Sequence, residues 1–146
     1  MRIRVIAVTA AAGLALAACT SNATDTSDRN DNVVQVAADT PFRLRAGEIA
    51  SVGTDGLMIA FRRVDGDSRC PSDVTCVWSG DATVVLDVTV GRVAWTAAQV
   101  HTHVEPRATD YREYRITLVD LSPVPVSTRS IAAGDYSATL EVARTR

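Results

Sequence analysis

Apolar and polar side chains alternate along several short segments of the chain. In residues 82–90, ATVVLDVTV, every second side chain is a valine or a leucine, namely Val84, Leu86, Val88 and Val90. The segments FRLRA, LMIAFRRV, YRITL and DYSATLEVA alternate in the same way. Because successive side chains of a strand point to opposite faces of a sheet, this period of two predicts half-buried β-strands.

Turn-forming sequences that contain glycine, proline and aspartate separate these segments, among them AGE, TDG, VGR and PVP. About seven short strands with regular turns predict one all-β domain over residues 33–146, an antiparallel β-sandwich with an immunoglobulin-like architecture. A small closed β-barrel is the alternative, because the number of strands does not distinguish the two folds.

The chain begins with a different pattern, MRIRVIAVTAAAGLALAACTSN. Arg2 and Arg4 precede an apolar run from Val5 to Ala18, an arrangement typical of a secretory signal peptide. The run is shorter than the about 20 apolar residues that a transmembrane helix needs. We therefore expect residues 1–18 to be a cleaved signal peptide.

The end of this run, Leu16-Ala17-Ala18-Cys19, resembles the lipobox of bacterial lipoproteins. The resemblance implies that Cys19 carries a diacylglyceryl group, with palmitate as a typical acyl chain, and becomes the first residue after cleavage. Acyl chains of this kind anchor a protein to a membrane that it does not span. Thr20 stands where aspartate would retain a lipoprotein at the inner membrane, which favours the outer membrane if the host has one. The alternative is an ordinary signal peptide that happens to contain a cysteine.

Residues 20–32, TSNATDTSDRNDN, contain no large apolar side chain. Such a composition predicts a disordered tether between the lipid on Cys19 and the domain. The 15 basic residues, all arginine, fall to 13 without Arg2 and Arg4, against 17 acidic residues, and the mature formal charge is −4. This acidic balance argues against nucleic acid as a partner.

Cys70 and Cys76 remain once Cys19 is assigned to the lipid, and they enclose a loop of seven residues, CPSDVTC. In an oxidising compartment a structural disulfide is the expected outcome. A redox or a metal role is the alternative, although the spacing is not CxxC and no second ligand cluster lies nearby. Trp78 follows the second cysteine, and we expect its side chain to pack in the core beside the disulfide.

His101 and His103, in the sequence VHTHVE, are the two histidines of the chain. On a strand they would share one face with Glu105, which gives a possible copper or zinc site. Solvent-facing polar residues are the alternative interpretation. Aspartates around the cysteine pair could also bind calcium, but the EF-hand spacing is absent and aspartate is common in turns: Asp65, Asp67, Asp73 and Asp81.

The block DSRCPSDVTCVWSGDATVVL resembles a motif of small bacterial secreted proteins and lipoproteins of unassigned function. The positions that carry the resemblance are Arg69, Cys70, Pro71, Cys76, Trp78 and Gly80. The C-terminal segment, a strand, a proline-containing loop and a closing strand around Asp135 and Tyr136, is similar to the ending of the same family. The resemblance implies a location in the cell envelope and supplies no catalytic residue.

A catalytic role has little support in the sequence, because GxSxG is absent and no set of residues suggests a catalytic triad. The disulfide loop could act as a pre-organised recognition surface, or it could only cap one end of the sandwich. We therefore expect a lipid-anchored cell-envelope domain that faces away from the cytoplasm and has a non-catalytic binding or structural role. Its partner would be an envelope protein or a small ligand, and a metal-binding lipoprotein that uses His101 and His103 is the alternative.

Overall fold

The structure, a computed structural model, describes residues 32–145. The predicted signal peptide, the lipid attachment at Cys19 and all of the predicted tether except Asn32 lie outside the described residues. Within residues 32–145 a 3-10 turn, Ala133–Asp135, precedes the last strand. The strands of the described part are β1 Val33–Val36, β2 Phe42–Arg45, β3 Ile49–Val52, β4 Leu57–Asp67, β5 Ala82–Val90, β6 Thr96–His101, β7 Ala108–Tyr111, β8 Tyr114–Ser122 and β9 Ser137–Arg144.

These strands form two sheets that pack face to face. One sheet has the order β1-β3-β4-β5-β6 and the other has the order β2-β9-β8-β7. The protein is therefore an all-β sandwich, as predicted, and its strands do not close into the alternative small barrel. Neighbouring strands are antiparallel with one exception, the parallel pair of β1 and β3. The exception arises because the chain crosses to the second sheet to form β2 and then returns beside β1.

The alternation of apolar residues predicts the core correctly. Val84, Leu86 and Val88 of β5 are fully buried, and Val90 is partly buried. The central strands β4, β8 and β9 supply most of the remaining large core side chains: Leu57, Ile59, Phe61, Ile116, Leu118, Leu121 and Leu140. Burial of this apolar surface between the two sheets is the main force that holds the sandwich together.

Four short strands, β1, β3, β6 and β7, were not predicted from the alternation. Each has four to six residues, and their inward positions carry small or polar side chains as often as large apolar ones. Edge strands such as β6 bury little surface, so their sequence needs no strong apolar period. Among residues 32–145 there is no helix long and apolar enough to cross a bilayer.

The loops that join the strands gather at two ends of the sandwich. Residues 68–81, 102–107 and 123–136 connect strands at one end, which we call the disulfide end. Shorter turns, residues 53–56, 91–95 and 112–113, connect strands at the other, which we call the opposite end. The long loops of the disulfide end carry the polar side-chain contacts from which the candidate site is built.

Candidate functional site

A buried ion pair anchors the disulfide end to the core. The Arg69 side chain is only 7 % exposed and that of Asp67 only 10 %. The guanidinium donates from Nε to Oδ1 of Asp67 at 2.9 Å and from Nη2 to Oδ2 at 2.6 Å. Burial raises the pKa of Asp67, but its hydrogen bonds with Arg69 outweigh this effect and hold the pKa below its usual range. Arg69 and Asp67 thus form a bidentate ion pair that is shielded from water.

The same arginine connects the two sheets. Its Nη1 donates to the carbonyl oxygen of Leu121 and its Nη2 to that of Pro123, at the end of β8. The hydroxyl of Tyr136, just before β9, donates to Asp67 Oδ2 at 3.1 Å. Burial, together with the charge of Asp67, raises the pKa of Tyr136 and keeps its hydroxyl protonated. Arg69, noted in the sequence only as part of a motif, is therefore a central structural residue of this end.

The sulfurs of Cys70 and Cys76 are bonded, which confirms the predicted disulfide. The loop that they enclose is also tied to the loop between β8 and β9. The backbone N–H of Ser72 donates to the carbonyl of Pro125 at 2.9 Å. The Asp73 carboxylate accepts bonds from the backbone and hydroxyl of Ser127, at 2.8 and 2.6 Å. These contacts fix the orientation of the disulfide loop.

The prediction that Trp78 packs in the core is wrong. Its side chain is 81 % exposed, and residues 72–79 all lie at the surface. The returning chain runs against residues 68–70, with Cys70 N–H bonded to the Ser79 carbonyl at 2.8 Å. A Cβ atom on Gly80 would lie 1.8 Å from the Ser68 carbonyl oxygen, so the backbones of Gly80 and Ser68 are in direct contact. These backbone contacts hold the end of the loop against residues 68–70, and the indole ring projects outwards.

Asp81 organises the turn between β6 and β7. Its carboxylate accepts the Thr102 hydroxyl at 3.0 Å and the His103 backbone N–H at 2.9 Å, and its Oδ2 lies 2.7 Å from His101 Nδ1. Thr102 in turn accepts the Ala82 N–H at 2.9 Å. Burial raises the pKa of Asp81, but the bonds from His103, His101 and Thr102 outweigh it and lower the pKa to about 2. The carboxylate is thus ionised and committed to the turn.

These contacts do not produce the predicted copper or zinc ligand set. The strand ends at His101, so the alternation that would align His103 and Glu105 with it does not continue. The Nδ1 of His103 lies 3.1 Å from the Thr102 hydroxyl, and Glu105 accepts the N–H of Arg107 at 3.0 Å. Within the described residues, no three His, Cys, Asp or Glu side chains are grouped so that they could hold a metal ion.

The four aspartates considered for calcium are dispersed as well. Asp65 pairs with Arg63 at 2.6 Å, and Asp67 pairs with Arg69. Asp73 and Asp81 bind separate loops, as described above. Each carboxylate therefore has a structural partner of its own and none converges on a common point.

A cleft of about 440 Å³ opens among these loops. It lies beyond the end of β7, which pairs with β8 only as far as the contact of Ala108 with Thr117, while β8 continues to Ser122. Val119 and Val124 line the cleft and are 43 % and 57 % exposed. The other lining residues are Arg69, Cys70, Ser79, Thr102, His103, Arg107, Leu118, Asp120, Leu121 and Pro125. The cleft thus combines an apolar wall with charged groups of both signs.

The cleft walls are held by contacts that were not recognised in the sequence. Arg69 fixes the carbonyl of Leu121 on one side, and Asp81 fixes Thr102 and His103 on the other. The signal for Arg69 was its place in the motif, whereas Asp81 was noted only as a possible calcium ligand, because its partners lie about 20 positions later in the chain. Of the sequence-predicted site residues, Cys70 and His103 line this cleft, whereas Glu105 is engaged in its own turn.

Comparison with known proteins adds no further identification. No protein-family model matches the chain, and neither a curated protein nor a solved structure matches it. The resemblance to small bacterial secreted proteins and lipoproteins therefore stays a prediction that rests on the motif around Cys70 and Cys76. Any function must be argued from the cleft and the loops of the disulfide end.

Proposed function

We propose that the protein is a lipid-anchored cell-envelope binding module that acts outside the cytoplasm without catalysis. The signal peptide pattern and the lipobox at Cys19 support the anchor. The disulfide between Cys70 and Cys76 supports an oxidising compartment, since such bonds persist there and are rare in the cytosol.

The observation that carries the binding role is the braced cleft at the disulfide end. Binding sites are typically concave and mostly apolar, with a few placed polar groups. Here Leu118, Val119 and Val124 supply the apolar wall, while Arg107 and Asp120 supply opposite charges. This combination suits an envelope-protein segment or a small ligand that carries an apolar group beside charged groups.

Binding has more support than catalysis because of how His103 is held. His103 is the imidazole that lines the cleft, and Asp81 bonds its backbone N–H rather than its ring. In a catalytic triad the carboxylate orients the ring itself. The carboxylate that does touch an imidazole, Asp81 with His101, serves the turn between β6 and β7.

Site-specific photocrosslinking in intact cells tests the proposal. A photoreactive phenylalanine analogue replaces Val124, which lines the cleft, and in a matched control it replaces Val93, which is similarly exposed at the opposite end. We expect a defined crosslinked product from position 124 that is absent from position 93. The product should weaken when Arg107→Glu reverses the charge at the cleft.

Two results would contradict the proposal. Identical products from both positions would show contact without a specific site, and the absence of a product from position 124 would remove the cleft as a site for a protein partner or a crosslinkable ligand. A Cys19→Ala variant separates the anchor from the cleft, because it should leave the membrane fraction while the isolated domain keeps its fold.

A further inference from the structure

We infer, on the basis of the proposed lipid anchor, that the tip of the disulfide loop inserts into the surface of the membrane that holds the anchor. The tip consists of Val77 and Trp78, which are 103 % and 81 % exposed. Val74, in the same loop, is 47 % exposed. Adjacent large apolar side chains that project fully into water are unusual in a soluble domain and mark an interaction surface.

The loop presents these side chains in a fixed position. The disulfide closes it, and the bonds of Ser72 to Pro125 and of Asp73 to Ser127 tie it to the neighbouring loop. Residues 74–80, VTCVWSG, contain no charged side chain, and Asp73 is turned towards Ser127. The tip can therefore enter an interface without carrying a charge into it and without first becoming ordered.

The direction in which the chain enters the domain favours the same end. Val36 of β1 pairs with Val52, which pairs with Leu57 at the opposite end of the sandwich. Strand β1 thus runs away from the disulfide end, and the chain before Val33 is directed towards that end from the level of Ala60, in the interior of the sheet. Asn32 bonds to the carbonyl of Gly47, in the turn between β2 and β3, and the same turn bonds to Phe61 within β4.

The predicted tether is short compared with the domain. A nine-residue strand such as β5 is about 30 Å long, whereas thirteen flexible residues typically span about 20 Å. If Cys19 is held by lipid, a tether of this length that starts towards the disulfide end brings that end within reach of the bilayer. Tryptophan is enriched at the level of lipid headgroups, because its ring is apolar and its N–H is polar. A bilayer surface is therefore the partner that fits both Trp78 and the position of the tether, and the nearby cleft would open at that surface.

The two tryptophans of the chain allow a matched test. Trp78 lies at the disulfide end, and Trp95 lies in the 91–95 turn at the opposite end, where it is 40 % exposed. The mature lipidated protein is reconstituted in phosphatidylcholine vesicles with acyl chains brominated close to the headgroup. Trp95→Phe leaves Trp78 as the only reporter, and Trp78→Phe leaves Trp95. We expect the bromolipid to remove most of the Trp78 emission and almost none of the Trp95 emission, while iodide in the water quenches Trp95 more.

Flotation of the vesicles distinguishes failure of the anchor from failure of the inference. Protein that does not float lacks the anchor, which overturns both. Protein that floats with Trp78 still open to iodide keeps the anchor and overturns the insertion. Equal bromolipid quenching of Trp78 and Trp95 also overturns it, because the domain would then lie without a preferred orientation. Shielding of Trp78 only after an envelope protein fraction is added would assign the tip to a protein partner instead.

Discussion

The two ends of the sandwich are held by the same three types of side chain in very different surroundings. Each end joins one arginine, one aspartate and one tyrosine: Arg69, Asp67 and Tyr136 at the disulfide end, and Arg144, Asp55 and Tyr114 at the opposite end. The charged side chains are 7 % and 10 % exposed at the first and 56 % and 50 % exposed at the second. Composition alone would make the two clusters equivalent.

The difference in burial corresponds to a difference in the loops that each cluster supports. The opposite end has turns of a few residues, which strand pairing holds in place. The disulfide end has loops of up to 14 residues, from 68 to 81 and from 123 to 136, that no strand holds. A buried arginine with five donors can fix several carbonyls at once, which a pair in water does only weakly. The lesson is that the long loops are stabilised by polar contacts, and that these contacts shape the cleft.

Replacement of Arg69 should therefore have the largest effect on stability. Arg69→Ala leaves the buried Asp67 carboxylate without its cationic partner and removes the Arg69 donors to the Leu121 and Pro123 carbonyls. Loss of one partner from a buried pair costs about 3 to 5 kcal/mol. The free energy of unfolding, from urea denaturation of the soluble domain, measures this loss.

Arg69→Lys sharpens the same experiment. Lysine keeps the positive charge but cannot make the two-pronged contact with Asp67 and reach Leu121 together. We expect an intermediate loss of stability. Wild-type stability in either variant would mean that burial at this end does not make the ion pair important, and would break the comparison of the two ends.

Removal of the disulfide should rank second. In the chain-entropy model, closing a loop of seven residues contributes about 2.5 kcal/mol, so Cys70→Ser with Cys76→Ser should lower the free energy of unfolding by that order. The effect should be smaller than that of Arg69→Ala, because the Ser72 and Asp73 contacts still tie the loop. Reductant should destabilise the wild type to the same degree and leave the double variant unchanged. A reductant effect on the variant would contradict this assignment.

Asp81 should give a smaller effect that depends on pH. Because its folded pKa of about 2 lies below the unfolded value of 3.8, its contribution is complete above about pH 4 and is lost as the pH falls towards 2. Asp81→Asn weakens the bonds to Thr102, His101 and the His103 N–H, at a cost of about 1 to 2 kcal/mol at neutral pH. Urea unfolding at pH 7, 4 and 2 should show a shallower decline for the variant than for the wild type.

The control for this prediction is Asp110→Asn. The Asp110 side chain is 60 % exposed, and its contact with the Arg115 guanidinium is long, at 3.5 Å. Replacement of Asp110 should therefore leave the pH profile parallel to that of the wild type. If Asp81→Asn also gives a parallel profile, the carboxylate at position 81 does not hold the turn, and one wall of the cleft loses its proposed support.

The strands that the sequence predicted are those in which burial forces alternation. Val84, Leu86 and Val88 must face the core because β5 lies within the sheet and is covered by the second sheet. Strand β7, ATDY, lies at an edge, where exposed side chains are tolerated, so its sequence carries no comparable pattern. The parallel pairing of β1 with β3 depends on where the chain crosses between sheets, which residue types do not encode.

The site was less predictable because its contacts join distant parts of the chain. The disulfide was predicted from the two cysteines that remain after Cys19 and from the predicted oxidising compartment. The position of Trp78 did not follow from its apolar character, because it depends on how the end of the loop returns along residues 68–70. Asp81 looked like a turn residue or a calcium ligand, and its three partners became visible only when β5 and β6 were paired.

Replacement of Arg144 should have the smallest effect, and it completes the comparison. Arg144 contacts Asp55 and lies over the Tyr114 ring, 5.6 Å from its centroid, but both charged side chains are about half in water. Water solvates either charge when its partner is removed, so an exposed pair contributes little. Arg144→Ala should leave the urea midpoint unchanged within error, and added salt should change it equally in variant and wild type. A loss as large as that of Arg69→Ala would mean that residue type, rather than exclusion of water, sets the strength of these clusters, and the special role assigned to the disulfide end would fall with it.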